Sequence, residues 1–317
     1  MPEIASKKSV VVLGRVIVDL YPDEVNVPLK DVARFTKAIG GSAANVAVAA
    51  ARHGHPVSFI SRTGDDAFGR FEREELVRFG IDVSHVETAP GVPTPITFCE
   101  MFPPDDFPVL IYRRPTAPDM LITEADLPLG LIRDADVYWS TATGLSQEPS
   151  RAAHFAAWES RRSRAGSVLD LDYRPSFWES GEQASREISK ALAHVDVVIG
   201  NQDECEIAVG ERDAHRAADA LLAHGVRVAI VKRGPLGVLA KTAEETVDVA
   251  PISVPVVNGL GAGDAFGGAF VHGMLEGWSL TTTLDFANAA GAYVTTQFMC
   301  SSAMPTSAEV EAVLAGR

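Results

Sequence analysis

Cysteine is scarce in this chain. Cys99, Cys205 and Cys300 stand far apart, with no CxxC pair and no histidine cluster beside them. Such spacing supplies neither a zinc ligand set nor a disulfide framework, and it suits a reducing compartment. Basic residues are also short, 28 Lys and Arg against 42 Asp and Glu, for a formal net charge of −14. A general nucleic-acid binder carries a basic face, so that class is set aside. An anionic small molecule is not, because a few arginines make a local positive pocket. No stretch approaches the ~20 apolar residues that span a bilayer. Lys7 and Lys8 precede the run Ser9–Gly14, but Arg15 and Asp19 follow at once, without a small-residue cleavage site. That is not a signal peptide. The expectation is a soluble, cytoplasmic protein with no nucleic-acid or membrane partner. Two phosphate-binding signatures are missing as well. There is no GxxxxGK[ST], and the first apolar run leads into Gly14-Arg-Val-Ile-Val-Asp19 rather than a glycine cluster. Neither a P-loop nor an N-terminal dinucleotide fold fits.

What is present is ample apolar content, 46%, enough for a large core. Short apolar runs alternate with amphipathic stretches. Val10–Leu13, Val57–Ile60, Ala135–Trp139, Ser167–Leu171, Val195–Ile199 and Val228–Val231 read as buried parallel strands. Between them, Ala43–His53, Phe68–Phe79, Pro149–Arg164, Glu182–Ala193 and His215–His224 carry helical periodicity. After Ala262 the chain reads as successive helices, roughly Asp264–Glu276, Thr281–Phe298 and Thr306–Leu314. The alternation predicts an α/β fold, a doubly wound, mostly parallel sheet flanked by helices, in one domain over 1–317. Two segments break it. Residues 21–39 and 91–118 are rich in Pro, Asp and β-formers, and loops of that length are uncommon without a role. They are expected to form hairpins of a small β-sheet lid.

The strongest chemical signal is Asn258-Gly-Leu-Gly-Ala-Gly-Asp264, running directly into the small apolar pattern Ala265-Phe-Gly-Gly-Ala-Phe270. Glycines let backbone N–H groups approach a ligand, and a helix starting there adds unpaired N–H groups and a positive dipole end. An aspartate beside such an anion site can take a hydroxyl proton while Gly261, Ala262 and Gly263 hold the phosphoryl oxygens. A dinucleotide turn is the competing reading, but Asp264 stands where its third glycine belongs; a simple helix-terminal charge is the other.

With Ala38-Ile-Gly-Gly-Ser-Ala-Ala-Asn45 near the start and Gly261–Asp264 near the end, the chain resembles the PfkB or ribokinase-like carbohydrate kinases along nearly its whole length. The resemblance implies a ribokinase-like fold with a β-sheet lid, ATP as donor and Mg²⁺. It assigns substrate hydroxyls to Asp19 and Asn45, and a lid hinge to Gly40-Gly41. It gives Asn201 and Glu204 the water shell of the magnesium, although the same pair spells a helix capping box. Lys232 and Gly234 fall where the family contacts nucleotide, and Asn288 on a helix bordering the adenine. One departure stands out: the family loop commonly begins Asp-Thr, whereas this chain has Asn258-Gly259, leaving activation by a monovalent cation open.

The segments Pro95–Phe107, Tyr112–Ala117 and Asp170–Pro175 are similar to those of family members acting on six-carbon keto sugar acids at the terminal hydroxyl. Two such acids, 5-dehydro-2-deoxy-D-gluconate and 2-keto-3-deoxygluconate, stay as candidates. An acid group calls for the planar fork of arginine, and Arg113 and Arg174 are the candidates in these segments, with Arg114 the rival of Arg113 for the lid position. A non-catalytic sugar-acid sensor on the same scaffold is the rival class. A dimer through an exposed lid edge is a further expectation from the family.

Overall fold

The computed structural model describes residues 8–162 and 164–316. Thirteen strands are found among them: β1 Val10–Leu13, β2 Ile17–Pro22, β3 Phe35–Gly40, β4 Val57–Gly64, β5 Asp82–Ala89, β6 Ile96–Cys99, β7 Val109–Tyr112, β8 Val137–Thr141, β9 Ser167–Asp170, β10 Val197–Asn201, β11 Val228–Lys232, β12 Val238–Lys241 and β13 Thr246–Val249. The helices are α1 Ser42–Arg52, α2 Ala67–Arg78, α3 Leu129–Asp134, α4 Ser150–Glu159, α5 Gly181–Leu192, α6 Gln202–Val209, α7 Ala214–Ala223, α8 Ala262–Glu276, α9 Leu280–Thr295 and α10 Ser307–Ala315.

Nine strands make the main sheet, in the order β13-β12-β11-β10-β9-β8-β1-β4-β5. From β11 to β5 every pairing is parallel, and the β12–β13 hairpin closes one edge antiparallel. Strands sealed on both faces by helices need no polar alternation, and β1 and β8 are indeed buried at every position. One apolar cluster lies under α1, α8 and α9, and a second under α4, α5, α6 and α7. Because β1 sits between β4 and β8, the winding reverses there, and the carboxyl ends of β1, β8 and β9 open onto a crevice. In folds of this kind ligands bind at that reversal.

Four further strands form a separate small sheet, β3-β2-β6-β7. The segments 21–39 and 91–118 supply most of it, but β2 begins at Ile17, ahead of the first segment. This start matters, because it puts Asp19 inside the small sheet, paired with Ala38 on one side and Thr97 on the other. The helix expected over 149–164 ends at Glu159. Three strands were not expected from the sequence. β5 is an edge strand with half its residues turned to solvent, and β12 and β13 are four-residue arms of a hairpin.

Candidate active site

The glycine loop enters α8 through Gly261, whose φ of +80° is a left-handed conformation that suits glycine. The cap is made without a side chain, and the first N–H bonded into the helix is that of Ala265, to the Gly261 carbonyl at 2.9 Å. The N–H groups of Ala262, Gly263 and Asp264 are therefore the unsatisfied donors of a helix start. Gly263 is also closely approached: a Cβ there would stand 3.0 Å from Lys232 Nζ.

Asn45 Nδ2 on α1 donates to Asp264 Oδ2 at 2.7 Å, joining the two glycine-bearing motifs directly. Burial pushes the Asp264 carboxyl up to about 7, against the pull of that bond, and the nearby Asp172 and Asp170 add to the rise. Such a carboxylate is poised to take a proton near neutrality. Asp19 is pushed up to about 6, again by burial, with Thr97, the Arg15 charge and Tyr21 pulling the other way. Gly40 is what admits it, since a Cβ there would lie 1.8 Å from Asp19 Oδ2. Gly41, at φ +92°, caps α1 and lies against the Arg15 carbonyl.

A cleft of about 90 Å³ runs between the small sheet and the α8 loop. Of the residues expected at a site, Asp19, Gly41, Asn45, Arg174, Gly261 and Asp264 line it. Arg113 does not. Its Nη2 donates to both oxygens of Asp119, at 3.3 and 3.0 Å, and the guanidinium lies 4.2 Å from the centre of the Phe177 ring, which ties the end of β7 to the main body; Nη1 is buried without a partner among the described residues. In its place the cleft holds Arg15, which the sequence did not single out. Arg15 follows β1, and Nη1 donates to Asp172 Oδ2 at 2.5 Å and to Thr143 Oγ1 at 2.9 Å. Arg174 Nε contacts the other oxygen of Asp172 at 3.2 Å.

Behind Asp264 lies a second polar group. Lys232, at the end of β11, is held protonated by Asp170, Glu204, Asp264 and Asp172 against the cost of its burial. Glu204 Oε2 accepts from the Asn201 backbone N–H at 2.7 Å while Asn201 Oδ1 accepts from the Glu204 N–H at 2.9 Å, so the capping box is formed in full. Burial pushes Glu204 up to about 7 despite Lys232. Four carboxylates thus surround three cations, Lys232, Arg15 and Arg174. A divalent cation fits that surplus of buried acid.

Two expected nucleotide residues stand apart from this group. Asn288 donates to the Ala250 carbonyl at 2.8 Å, and Gly234, at φ +56°, sits in an open turn. Asn258 is buried and spends its amide inside the loop, donating to Phe298 O at 3.0 Å and accepting from Leu260 N–H at 2.9 Å. Among the described residues, His55, His272 and Glu276 also come close enough to share an ion. They lie at the far end of α8, where the two imidazoles already hydrogen-bond at 2.7 Å. The three cysteines are free and buried. No helix among the described residues is long and apolar enough to cross a membrane.

A doubly wound sheet with free backbone N–H donors at the start of α8, and an aspartate beside them, places the chain. It belongs to the pfkB family of carbohydrate kinases, whose pattern matches residues 7–307. Among its relatives, the 5-dehydro-2-deoxygluconokinase of Clostridium tetani is 33% identical over 310 residues, 95% of this chain and 91% of its own length. That of Geobacillus thermodenitrificans is 34% identical over 308 residues, again 95% and 91%. The crystal structure of fructokinase from Vibrio cholerae O395, bound to fructose, ADP and calcium ion, matches with a TM-score of 0.85 at 25% identity, covering 97% of this chain and 99% of that one.

Proposed function

We propose that this chain transfers the γ-phosphoryl group of ATP to the terminal hydroxyl of 5-dehydro-2-deoxy-D-gluconate, a six-carbon keto sugar acid. The observation that carries the reading is the Asn45–Asp264 hydrogen bond at the open N-terminus of α8, facing two arginines along one cleft. The names of the similar relatives support the choice of acid. Asp264 takes the proton of the attacking hydroxyl, and Asn45 fixes which carboxylate oxygen stays bonded. N–H groups of Gly261, Ala262 and Gly263 hold the oxygens of the group in transfer. Lys232 neutralises phosphate from the β11 side. Asn201 and Glu204 would hold Mg²⁺ through water, and that ion when bound supplies charge neutralisation of the donor phosphates.

Asp19 holds hydroxyls at the opposite end of the substrate. The small sheet acts as a lid hinged at Gly40-Gly41, expelling water so that ATP is not spent on hydrolysis. One domain with this lid accounts for the whole chain. An ATP-consuming reaction and three free thiols fit a cytoplasmic setting.

The test is a coupled ADP-release assay with ATP and Mg²⁺ on 5-dehydro-2-deoxy-D-gluconate, 2-keto-3-deoxygluconate, ribose and fructose. Turnover on the first, at least tenfold above the second in kcat/KM, is expected. Preference for the second would move the substrate and keep the mechanism. No turnover on any of them would remove the kinase reading and leave the sensor.

A further inference from the structure

Two guanidinium groups in the cleft share one carboxylate. Asp172 takes Arg15 on Oδ2 and Arg174 on Oδ1. A buried cation is tolerated when it is fully paired, and half a carboxylate does not pair each of two. Each arginine therefore leans on acceptors besides Asp172: Arg174 on the other acids of the site, and Arg15 on Thr143 and the charge of Asp19.

The two arginines are not equivalent. Arg174 is half exposed, with 49% of its side chain open, and the acids acting on it besides Asp172 are Glu204, Asp264 and Asp170, all at the phosphoryl end. Arg15 is buried, 7% exposed, and its charge acts on Asp19 at the other end. Both its side-chain hydrogen bonds leave from Nη1, so among the described residues Nε and Nη2 meet no protein acceptor. Those two donors form the edge of the fork that binds a carboxylate in parallel. Behind it, Asp172, Thr143 and the Phe177 ring, 5.4 Å from the guanidinium, fix the orientation.

We infer that Arg15 reads the acid group of the substrate and sets the preference for sugar acids over neutral sugars, with Asp172 as its positioning residue. The inference rests on the reading above, since a six-carbon chain with its terminal hydroxyl at Asp264 puts its other end toward Asp19 and Arg15. Arg174 is then left to the phosphoryl end, and Arg113 to holding β7.

The experiment measures calorimetric binding of 5-dehydro-2-deoxy-D-gluconate without nucleotide, and the ratio of kcat/KM for that acid over fructose. Wild type, Arg15→Gln, Arg15→Lys and Arg113→Gln are compared, with a melting curve for each. Removing a hydrogen bond to a charged group is worth roughly 10- to 100-fold. Arg15→Gln is therefore expected to weaken acid binding and lower the ratio by that factor, mostly through KM. Arg15→Lys keeps the charge and loses the fork, and should fall between. Arg113→Gln should lower the melting temperature and leave the ratio within threefold. If Arg15→Gln does not fold, Arg15→Lys decides: a ratio equal to wild type overturns the inference. So does an equal loss for acid and fructose, a ratio that follows Arg113 instead, or a wild-type chain that does not bind the acid. Absence of ADP release with acid binding that still depends on Arg15 would sink the kinase reading and leave this one standing.

Discussion

The chemistry of the site turns on a few buried acids whose neutral form is favoured by burial. Asp264 illustrates both sides of that choice. In the unfolded chain it ionises near 3.8, and in the fold near 7. An acid held up in this way makes the fold lose stability as pH rises from about 4 to about 7, because the unfolded chain gives up the proton first. The same shift supplies a base that becomes active as pH passes neutrality. Asp264→Asn is expected to cut kcat by about 10²- to 10⁴-fold while substrate still binds. It should also melt higher than the native chain at pH 8, by a margin that shrinks toward pH 5. In the native protein, kcat/KM should rise with pH through about 7. Near-normal kcat in the variant, read by ADP release, would dismiss Asp264 as the base. Asp264 and its glycines are legible in sequence because anion binding needs that local pattern. Arg15 is not, because an arginine two residues past a strand looks the same whether it meets solvent or a cleft. The difference lies in Asp172, 157 positions away.

At the scale of elements, legibility follows burial. β1 coincides with the apolar run Val10–Leu13, since a strand covered on both faces must be apolar throughout. β5, exposed along one side, has no such run. α6 is only eight residues long and has little periodicity to show, but its ends are well marked, by the Asn201–Glu204 box and by Gly210 at φ +76°. Those marks are the key to its role. The box sets Glu204 within the field of Lys232 and Asp170, so the pair we propose for Mg²⁺ is also the cap of α6. Asn201→Ala is expected to cost about 1 kcal/mol of stability, seen as a lower denaturation midpoint. It should also raise KM for ATP-Mg²⁺ severalfold. A stability loss with unchanged KM would leave the pair as a cap alone.

For the whole molecule, edges decide assembly. The β12–β13 hairpin ends one side of the main sheet, but β7 ends the small sheet with Val109, Leu110 and Tyr112 exposed. An apolar open edge invites pairing, and a second copy of this chain, edge to edge, is the partner we propose. Light scattering on a sizing column is expected to give a dimer, and Leu110→Lys with Tyr112→Lys a monomer. A monomeric native chain would refute the pairing. The cleft also has a temporal side. Its walls come from Arg15, near the beginning, through Asp19, Thr97 and Arg174, to Asp264 and Cys300, near the end. The glycine turn proposed to hold phosphate is thus among the later pieces a ribosome delivers. A chain broken off short of α8 lacks both that turn and the helices that cover the apolar cluster over α1, so the cleft and the core are completed by the same late segment.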